Sequence, residues 1–350
     1  MRRMSESPLV SLLIPTHNNG TTVGDTIESC LRQTFRDVEI LIYDEASRDN
    51  TREVINAYAG RDRRIQVTSS DSNSGPLRAW RKLLHAARGR YCTFVWSDDL
   101  LLPRYVETLA KVLQEHPKDL IAGCNAYRYY LPSDPKAPIA PVDLDKPDPS
   151  WGLLNEPYAT CRLKGDAYAL GIFAKLFPVT QMCNLVVTAA AREVFDHYID
   201  IPNPYGFDYA RAAYGNDVAY LSELGLRSGE LVQVGEPLLV ARSSPGSLTE
   251  RLIHTNRWQY WLQYTYAFYA GWSQCRSLSP RMGALIRAAE HRVNFCDFFY
   301  SVKTRRLPRA GNPFKAARAV WFILRQDRHV RKDASAETLE AWLARQEGRA

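Results

Sequence analysis

The sequence lacks the short motifs of several common enzyme classes. It contains no GxxxxGK segment, no GxGxxG segment after the first predicted strand and no GxSxG segment. The sequence therefore gives no motif support for a P-loop ATPase, a dinucleotide-dependent enzyme or an α/β-hydrolase. The class of reaction has to be inferred from other residues.

Paired cysteines and long apolar runs are also missing. The seven cysteines are scattered and none belongs to a CxxC pair, so we expect neither a disulfide framework nor a zinc site. No stretch of membrane-spanning length is free of charge, and the first eight residues contain no export-length apolar segment. We expect a cytoplasmic protein that is soluble or peripheral at the inner face of the membrane.

The composition is that of an ordinary globular protein. The 350 residues are 45% hydrophobic and 24% charged, enough for one large domain with an extension or for two domains. The formal net charge of +7 and the pI near 9.0 indicate an anionic partner. A nucleotide, a phospholipid surface, a polyanionic glycan and nucleic acid all fit this charge.

Apolar runs alternate with amphipathic stretches over residues 9–116, which is typical of βαβα structure. This pattern predicts an α/β fold with a mostly parallel sheet flanked by helices. Further strands are predicted near residues 120–129, 184–187, 231–234 and 238–241, with a proline-rich surface segment over 132–149. Only helical patterns follow residue 249. We therefore predict a catalytic domain over 1–249 and a helical C-terminal extension over 250–350.

Polar residues follow three of the predicted strands. Ligands of open parallel sheets bind at the carboxyl ends of the strands, which is where these residues would lie. Asp98 and Asp99 follow the fourth strand and could hold a divalent cation or cap the next helix. Asp44 ends the second strand and is either a nucleotide ligand or the start of a turn. The same two interpretations apply to Asn73 and to the loop after the first strand, Pro15-Thr16-His17-Asn18.

Taken together, the ordered motifs resemble those of family 2 glycosyltransferases with the GT-A fold, a resemblance that covers roughly residues 9–250. It is carried by VSLLIPTHN, SCLRQTF, DEASRDNT, NSG, ARGRY and SDDLLLP, which begin at Val10, Ser29, Asp44, Asn73, Ala87 and Ser97. The resemblance implies an inverting transfer of a sugar from a nucleotide-sugar donor, with UDP-sugars favoured, to an acceptor hydroxyl.

The resemblance also implies roles for individual residues. Asp44 matches the position that contacts the base or ribose, and Asp98 and Asp99 match the aspartate motif for ribose or sugar contact and for Mg²⁺ or Mn²⁺. Trp96 stands where the family often has an acidic residue. Arg242, in the segment after the last strand, is expected near the donor diphosphate.

A catalytic base is expected at the start of a helix in the second half of the chain. The family usually has a Glu-Asp pair there, and this sequence has Asn216-Asp217. Asn216 cannot accept the proton, so Asp217 is the candidate base. Helix capping by Asp217 is the alternative, and Asp208 is a weaker rival for the role.

The implied partners are the donor and a glycan or lipid-linked acceptor, within cell-surface polysaccharide synthesis, and no nucleic acid. Basic residues dominate 305–332, which predicts either a helix at an anionic membrane surface or a helix packed on the domain. Two other functions are kept open. One is a catalytically inactive relative that binds nucleotide or glycan in an assembly complex, and the other is a sugar-1-phosphate nucleotidyltransferase.

Overall fold

A computed structural model gives the architecture of the chain. It describes residues 7–132, 134, 137–148, 150–154, 159–174, 183–243 and 248–304. The predicted basic segment over 305–332 lies outside the described residues. No helix within the described ranges combines the length and the apolar character that crossing a bilayer requires.

The first third of the chain forms the parallel half of one sheet. The strands over residues 10–16, 38–45 and 91–94 are buried along their whole length, which explains their continuous apolar runs, whereas the edge strand over 65–70 is partly exposed. Strands and helices alternate in the order β1 (Val10–Thr16), α1 (Val23–Leu31), β2 (Val38–Glu45), α2 (Thr51–Ala59), β3 (Ile65–Ser70), α3 (Pro76–Ala86) and β4 (Tyr91–Phe94).

The second part of the chain extends this sheet with mixed pairing. Its elements are β5 (Leu100–Leu101), α4 (Tyr105–Glu115), β6 (Ile121–Tyr130), β7 (Gly152–Leu153), β8 (Cys161–Lys164), α5 (Gly165–Phe173), β9 (Asn184–Val187), α6 (Thr188–Phe195), α7 (Tyr209–Ala212), α8 (Asn216–Ser228) and β10 (Glu230–Ser243). The sheet order is β3-β2-β1-β4-β9-β6-β10-β5. β9 runs antiparallel to both of its neighbours, whereas β6 and β10 are parallel.

One prediction about the strands is wrong. The sequence pattern predicts two short strands on either side of residues 235–237, but β10 is continuous from Glu230 to Ser243. Its register against β6 shifts between Val234 and Pro237 and again between Pro237 and Val240. The bulge absorbs the Gly-Glu-Pro segment, so the strand bends without ending.

Two apolar cores lie on opposite faces of the sheet. Val10, Leu12 and Ile14 belong to one core and Leu13 to the other, as the twofold alternation of side chains along a strand requires. The C-terminal helices α9 (Leu248–Gln274) and α10 (Met282–Thr304) pack into the same core as Leu13. The predicted mostly parallel α/β fold with a helical C-terminal region is confirmed.

Candidate active site

The ends of β1, β2 and β3 lie side by side because these strands pair in parallel. Thr16 is the register partner of Asp44, and Asp44 is in turn the partner of Ser69 on β3. The loops that follow the three strands therefore form one edge of the sheet. Asp98 and Asp99 lie at the same edge, on the loop after β4, which pairs with β1 on its other side.

The loop after β1 is tied to the loop after β2. The Nδ1 atom of His17 lies 2.6 Å from the carbonyl oxygen of Glu45. The backbone N–H of Asn18 donates to Ser47 Oγ, and Asn18 Oδ1 accepts from the backbone N–H of Arg48. Asn18 has a φ of 54°, which asparagine tolerates better than most residues. Pro15 and Thr16 are buried beneath this loop.

An open polar cavity of about 650 Å³ lies between these loops. Two of the predicted loop residues, His17 and Asn18, line it together with Asn73. The Oδ1 atom of Asn73 accepts from the backbone N–H of Gly75, so this asparagine also shapes its own turn. The remaining lining residues are Ala46, Ser47, Arg48, Arg52, Asp71 and Ser72.

Asp44 lies behind this cavity and does not line it. Its side chain is fully buried, and its Oδ2 atom accepts from Arg52 Nε at 2.6 Å. Its Oδ1 atom accepts from the backbone N–H of Ser47 at 3.3 Å. Arg52 is thus the charged group of this pair that reaches the cavity.

Asp98 and Asp99 have different surroundings. Asp99 is 5% exposed, and its Oδ1 atom accepts from the backbone N–H of Arg242 at 2.6 Å. Asp98 is half-buried, and its carboxylate forms no hydrogen bond to another residue within the described ranges. Asp98 therefore has the carboxylate with more capacity left for a ligand.

Arg242 connects this loop to α1. Its buried guanidinium donates to the backbone carbonyls of Asp98 and Thr22 and to Asp25 Oδ2, the last at 2.9 Å. Its backbone N–H binds Asp99 at the same time. The structure thus places Arg242 among the groups that hold the aspartate loop, with its donors directed at protein atoms.

The surroundings of Asp98 and Asp99 disfavour their ionised forms. Burial raises the pKa of Asp98 above its ordinary value. The pKa of Asp99 is raised further, first by burial and second by the neighbouring charge of Asp98. Arg242 opposes both shifts but does not cancel them. A cation beside the pair would favour the ionised forms.

Trp96 occupies the place of the acidic residue that the family often has. Its ring lies 4.5 Å from the ring of Trp80 and 6.0 Å from that of Phe94, measured between centroids. The side chain therefore packs into the apolar core on this face of the sheet. A carboxylate contribution from this position is absent.

The predicted base lies on α8. Asp217 is the second residue of this helix, and its side chain lies outside what the structure describes. Asn216 is fully buried, and its Nδ2 atom donates to the carbonyls of Tyr198 and Tyr209. Asp208, the weaker rival, caps α7 by accepting from the backbone N–H of Arg211 at 3.2 Å.

Sequence reasoning misses two residues of this region, Arg52 and Asp25. The sequence pattern places Arg52 in a helix and predicts nothing more about it, although Arg52 forms an ion pair with Asp44. Asp25 lies on α1, 217 residues before its partner Arg242. Neither contact has a sequence signal, because both depend on how separate elements pack.

Known proteins resemble this chain in sequence. Residues 11–158 match the profile of "Glycosyl transferase family 2". Glycosyltransferase GlyG of Streptococcus pneumoniae is 33% identical over 123 residues, which are 35% of this chain and 40% of GlyG. Chondroitin synthase of Pasteurella multocida is 37% identical over 117 residues, 33% of this chain and 12% of the synthase. The chain thus spans less than half the length of these two relatives.

A solved structure resembles the whole fold. The 1–349 fragment of Staphylococcus aureus TarS, in complex with UDP-GlcNAc, superposes with a TM-score of 0.51 at 14% identity. The match covers 86% of this chain and 93% of that fragment. The fold is therefore of the GT-A type. Residues 11–158 match the model of glycosyl transferase family 2, and the resemblance read from the motifs is confirmed.

Proposed function

We propose that the protein is an inverting glycosyltransferase that moves a sugar from a nucleotide-sugar donor, with UDP-sugars favoured, to an acceptor hydroxyl. The observation that carries the proposal is the arrangement along one sheet edge. The cavity lined by His17, Asn18 and Asn73 lies over the ends of β1 to β3, and Asp98 and Asp99 follow β4. A nucleotide placed in the cavity would direct its diphosphate towards the carboxylates.

The aspartate pair fits a hard divalent cation such as Mg²⁺ or Mn²⁺. Such ions take oxygen ligands from one or two carboxylates and complete their shell with phosphate and water oxygens. Asp98 and Asp99 supply the carboxylates, and a cation beside them would offset the cost of ionising them, which shows as the raised pKa of each. Bound at this place, the cation would offset the charge that develops on the leaving diphosphate.

Each of the remaining site residues has its own proposed role. Asp98, with its carboxylate unengaged by other described residues, is proposed as the main ligand, and Asp99 as the second. Arg242 holds the loop that carries both residues. Asp217 is proposed to accept the proton of the acceptor hydroxyl as it attacks the anomeric carbon, while the nucleoside diphosphate leaves from the opposite side.

The acceptor is proposed to be a glycan or a lipid-linked glycan in cell-surface polysaccharide synthesis. One of the relatives named above supports a polymer pathway through its own name, chondroitin synthase. The basic segment over 305–332 is proposed to bring the enzyme to an anionic membrane surface. Cytoplasmic localisation and the boundary at residue 249 remain predictions of the same kind.

Release of nucleoside diphosphate from a panel of nucleotide sugars tests the proposal. We expect Asp217→Asn to lower kcat by roughly 10²-fold or more with little change in donor affinity, because a general base acts in the chemical step. Asp208→Asn is the matched control and should retain most of the kcat, since Asp208 caps a helix. Equal turnover in the wild type and Asp217→Asn would exclude the assigned base.

A further inference from the structure

The cavity presents a cation where an acidic base-binding residue is expected. Asp44 is fully buried, whereas the side chain of its partner Arg52 is 40% exposed and lines the cavity. A ligand in the cavity therefore meets the guanidinium of Arg52 before it meets the carboxylate of Asp44.

The guanidinium of Arg52 is fixed from two sides. Its Nε atom donates to Asp44 Oδ2 at 2.6 Å, and its Nη2 atom donates to the backbone carbonyl of Ser70 at 2.9 Å. The Nη1 atom makes no hydrogen bond to any residue that the structure describes. An arginine carries only hydrogen-bond donors, so this nitrogen is available to donate to an acceptor on a ligand in the cavity.

The position of Arg52 along the sheet edge indicates which part of a donor it meets. Arg52 lies where β2 and β3 end, while the aspartate pair follows β4 on the far side of β1. Neighbouring strands are about 4.8 Å apart, so roughly 10 Å separate the two places. With the diphosphate near Asp98, the part of the nucleotide over β2 and β3 is the base edge farthest from the ribose.

We propose that Arg52, held by Asp44, selects the donor nucleotide by donating a hydrogen bond to a carbonyl oxygen on the outer edge of its base. This inference rests on the proposed function. Uracil, thymine and guanine carry such an oxygen at position 4 or 6, whereas cytosine and adenine carry an amino group there. An amino group there would face the N–H donors of Arg52 with donors of its own, so neither group would have a hydrogen-bond acceptor. A nucleotide with such a base should therefore bind much more weakly.

Equilibrium binding of UDP and CDP to the full chain tests this assignment. The wild type should bind UDP at least about tenfold more tightly than CDP, as expected for one hydrogen bond to a charged group. Arg52→Gln should weaken UDP binding about tenfold and bring the two affinities within about threefold, because glutamine offers both a donor and an acceptor.

Arg48→Ala is the matched control, because Arg48 is an exposed arginine of the same cavity. Loss of its charge should weaken the binding of UDP and of CDP by a similar factor and leave the preference for UDP intact. The double variant Asp44→Asn/Arg52→Gln covers the case in which Asp44 destabilises the fold once its partner is gone, and it should also lack the preference.

The possible results separate the two claims. A wild type that binds UDP and CDP equally, or an Arg52→Gln variant that keeps the wild-type ratio, would overturn the role of Arg52 while leaving the glycosyltransferase proposal in place. A wild type that binds none of UDP, GDP, CDP and ADP would overturn both.

Discussion

At the scale of single residues, the proposed binding of a cation by Asp98 and Asp99 should depend on pH. Burial raises the pKa of both residues, and the neighbouring charge of Asp98 raises the pKa of Asp99 further, so the ionised pair destabilises the metal-free fold as the pH rises through these pKa values. A cation binds the ionised form. Mn²⁺ alone should therefore raise the Tm by more at about pH 8 than at about pH 5.5.

Differential scanning fluorimetry at the two pH values measures this difference. Asp98→Asn should remove most of the Mn²⁺-induced rise in Tm at both pH values, because the carboxylate of Asp98 is the one proposed as the main ligand. Asp99→Asn should reduce the shift and also make the metal-free protein more stable at high pH. An Mn²⁺ shift that is equal at both pH values would argue against binding by this pair.

Arg242 gives a second prediction at this scale. Arg242→Gln should lower the free energy of unfolding by about 1–3 kcal/mol, because the buried carbonyls of Asp98 and Thr22 lose their donor. Arg104→Gln is the control, since Arg104 is exposed and lies 3.9 Å from exposed Glu236. It should change stability by less than about 0.5 kcal/mol in urea unfolding. Similar losses in both variants would contradict the assigned role of Arg242.

Single residues of the site are predictable to different degrees. His17, Asn18 and Asn73 do line the cavity, because a residue just after a strand in a parallel sheet has few other places to lie. The same reasoning predicts that Asp44 lies at this edge of the sheet. It does not predict that Arg52 lies between Asp44 and the cavity. The orientation of Arg52 depends on the packing of α2 against two strand ends, which no spacing along the chain encodes.

At the scale of elements, the start of α8 depends on contact with α9. Gly215 precedes this helix with a φ of 87°, and a Cβ atom there would lie 2.5 Å from the Cα atom of Tyr264. Gly229 has a similar φ of 77°, but a Cβ atom at that position would meet no other atom within 4 Å. Gly215→Ala should therefore cost clearly more stability than Gly229→Ala.

Chemical denaturation and turnover measure the two effects of these variants. Gly229→Ala should cost about 1–2 kcal/mol, because alanine avoids a positive φ. Gly215→Ala should cost about 1–3 kcal/mol more and should also lower kcat, because Asp217 follows two residues later. Equal stability of the two variants would show that α9 does not restrain this turn.

The elements themselves are largely predictable. Apolar runs and helical periodicity locate β1 to β4 and the helices between them within a few residues, because a sheet buried on both faces leaves continuous apolar runs. The antiparallel direction of β9 and the bulge in β10 change the pairing of the second half, and no local pattern of residues marks either of these two features.

At the scale of the whole molecule, the C-terminal helices share a core with the sheet. Trp272 on α9 is fully buried, donates from Nε1 to Ser222 Oγ at 3.0 Å, and belongs to the same apolar cluster as Leu13 and Phe94. Trp272→Ala should destabilise the protein by about 3–5 kcal/mol, as other large core truncations do. The full chain should unfold in one transition by calorimetry.

A chain that ends at residue 249 provides the complementary test of the predicted boundary. It would expose the apolar surface that α9 and α10 cover, so we expect it to unfold at a much lower temperature than the full chain. A truncated chain with the Tm of the full chain would establish 1–249 as an independent domain and contradict the shared core.

The proposed function requires a nucleotide to bind this sheet edge together with a divalent cation. Melting temperatures with UDP, GDP, dTDP and CDP, each with and without Mn²⁺, test it most directly, since a ligand that binds only the folded state raises the Tm. We predict that at least one nucleotide raises the Tm by several degrees, by more with Mn²⁺, and that Asp98→Asn loses the additional shift. If none of the four nucleotides shifted the Tm, the proposed nucleotide site at this edge would be wrong.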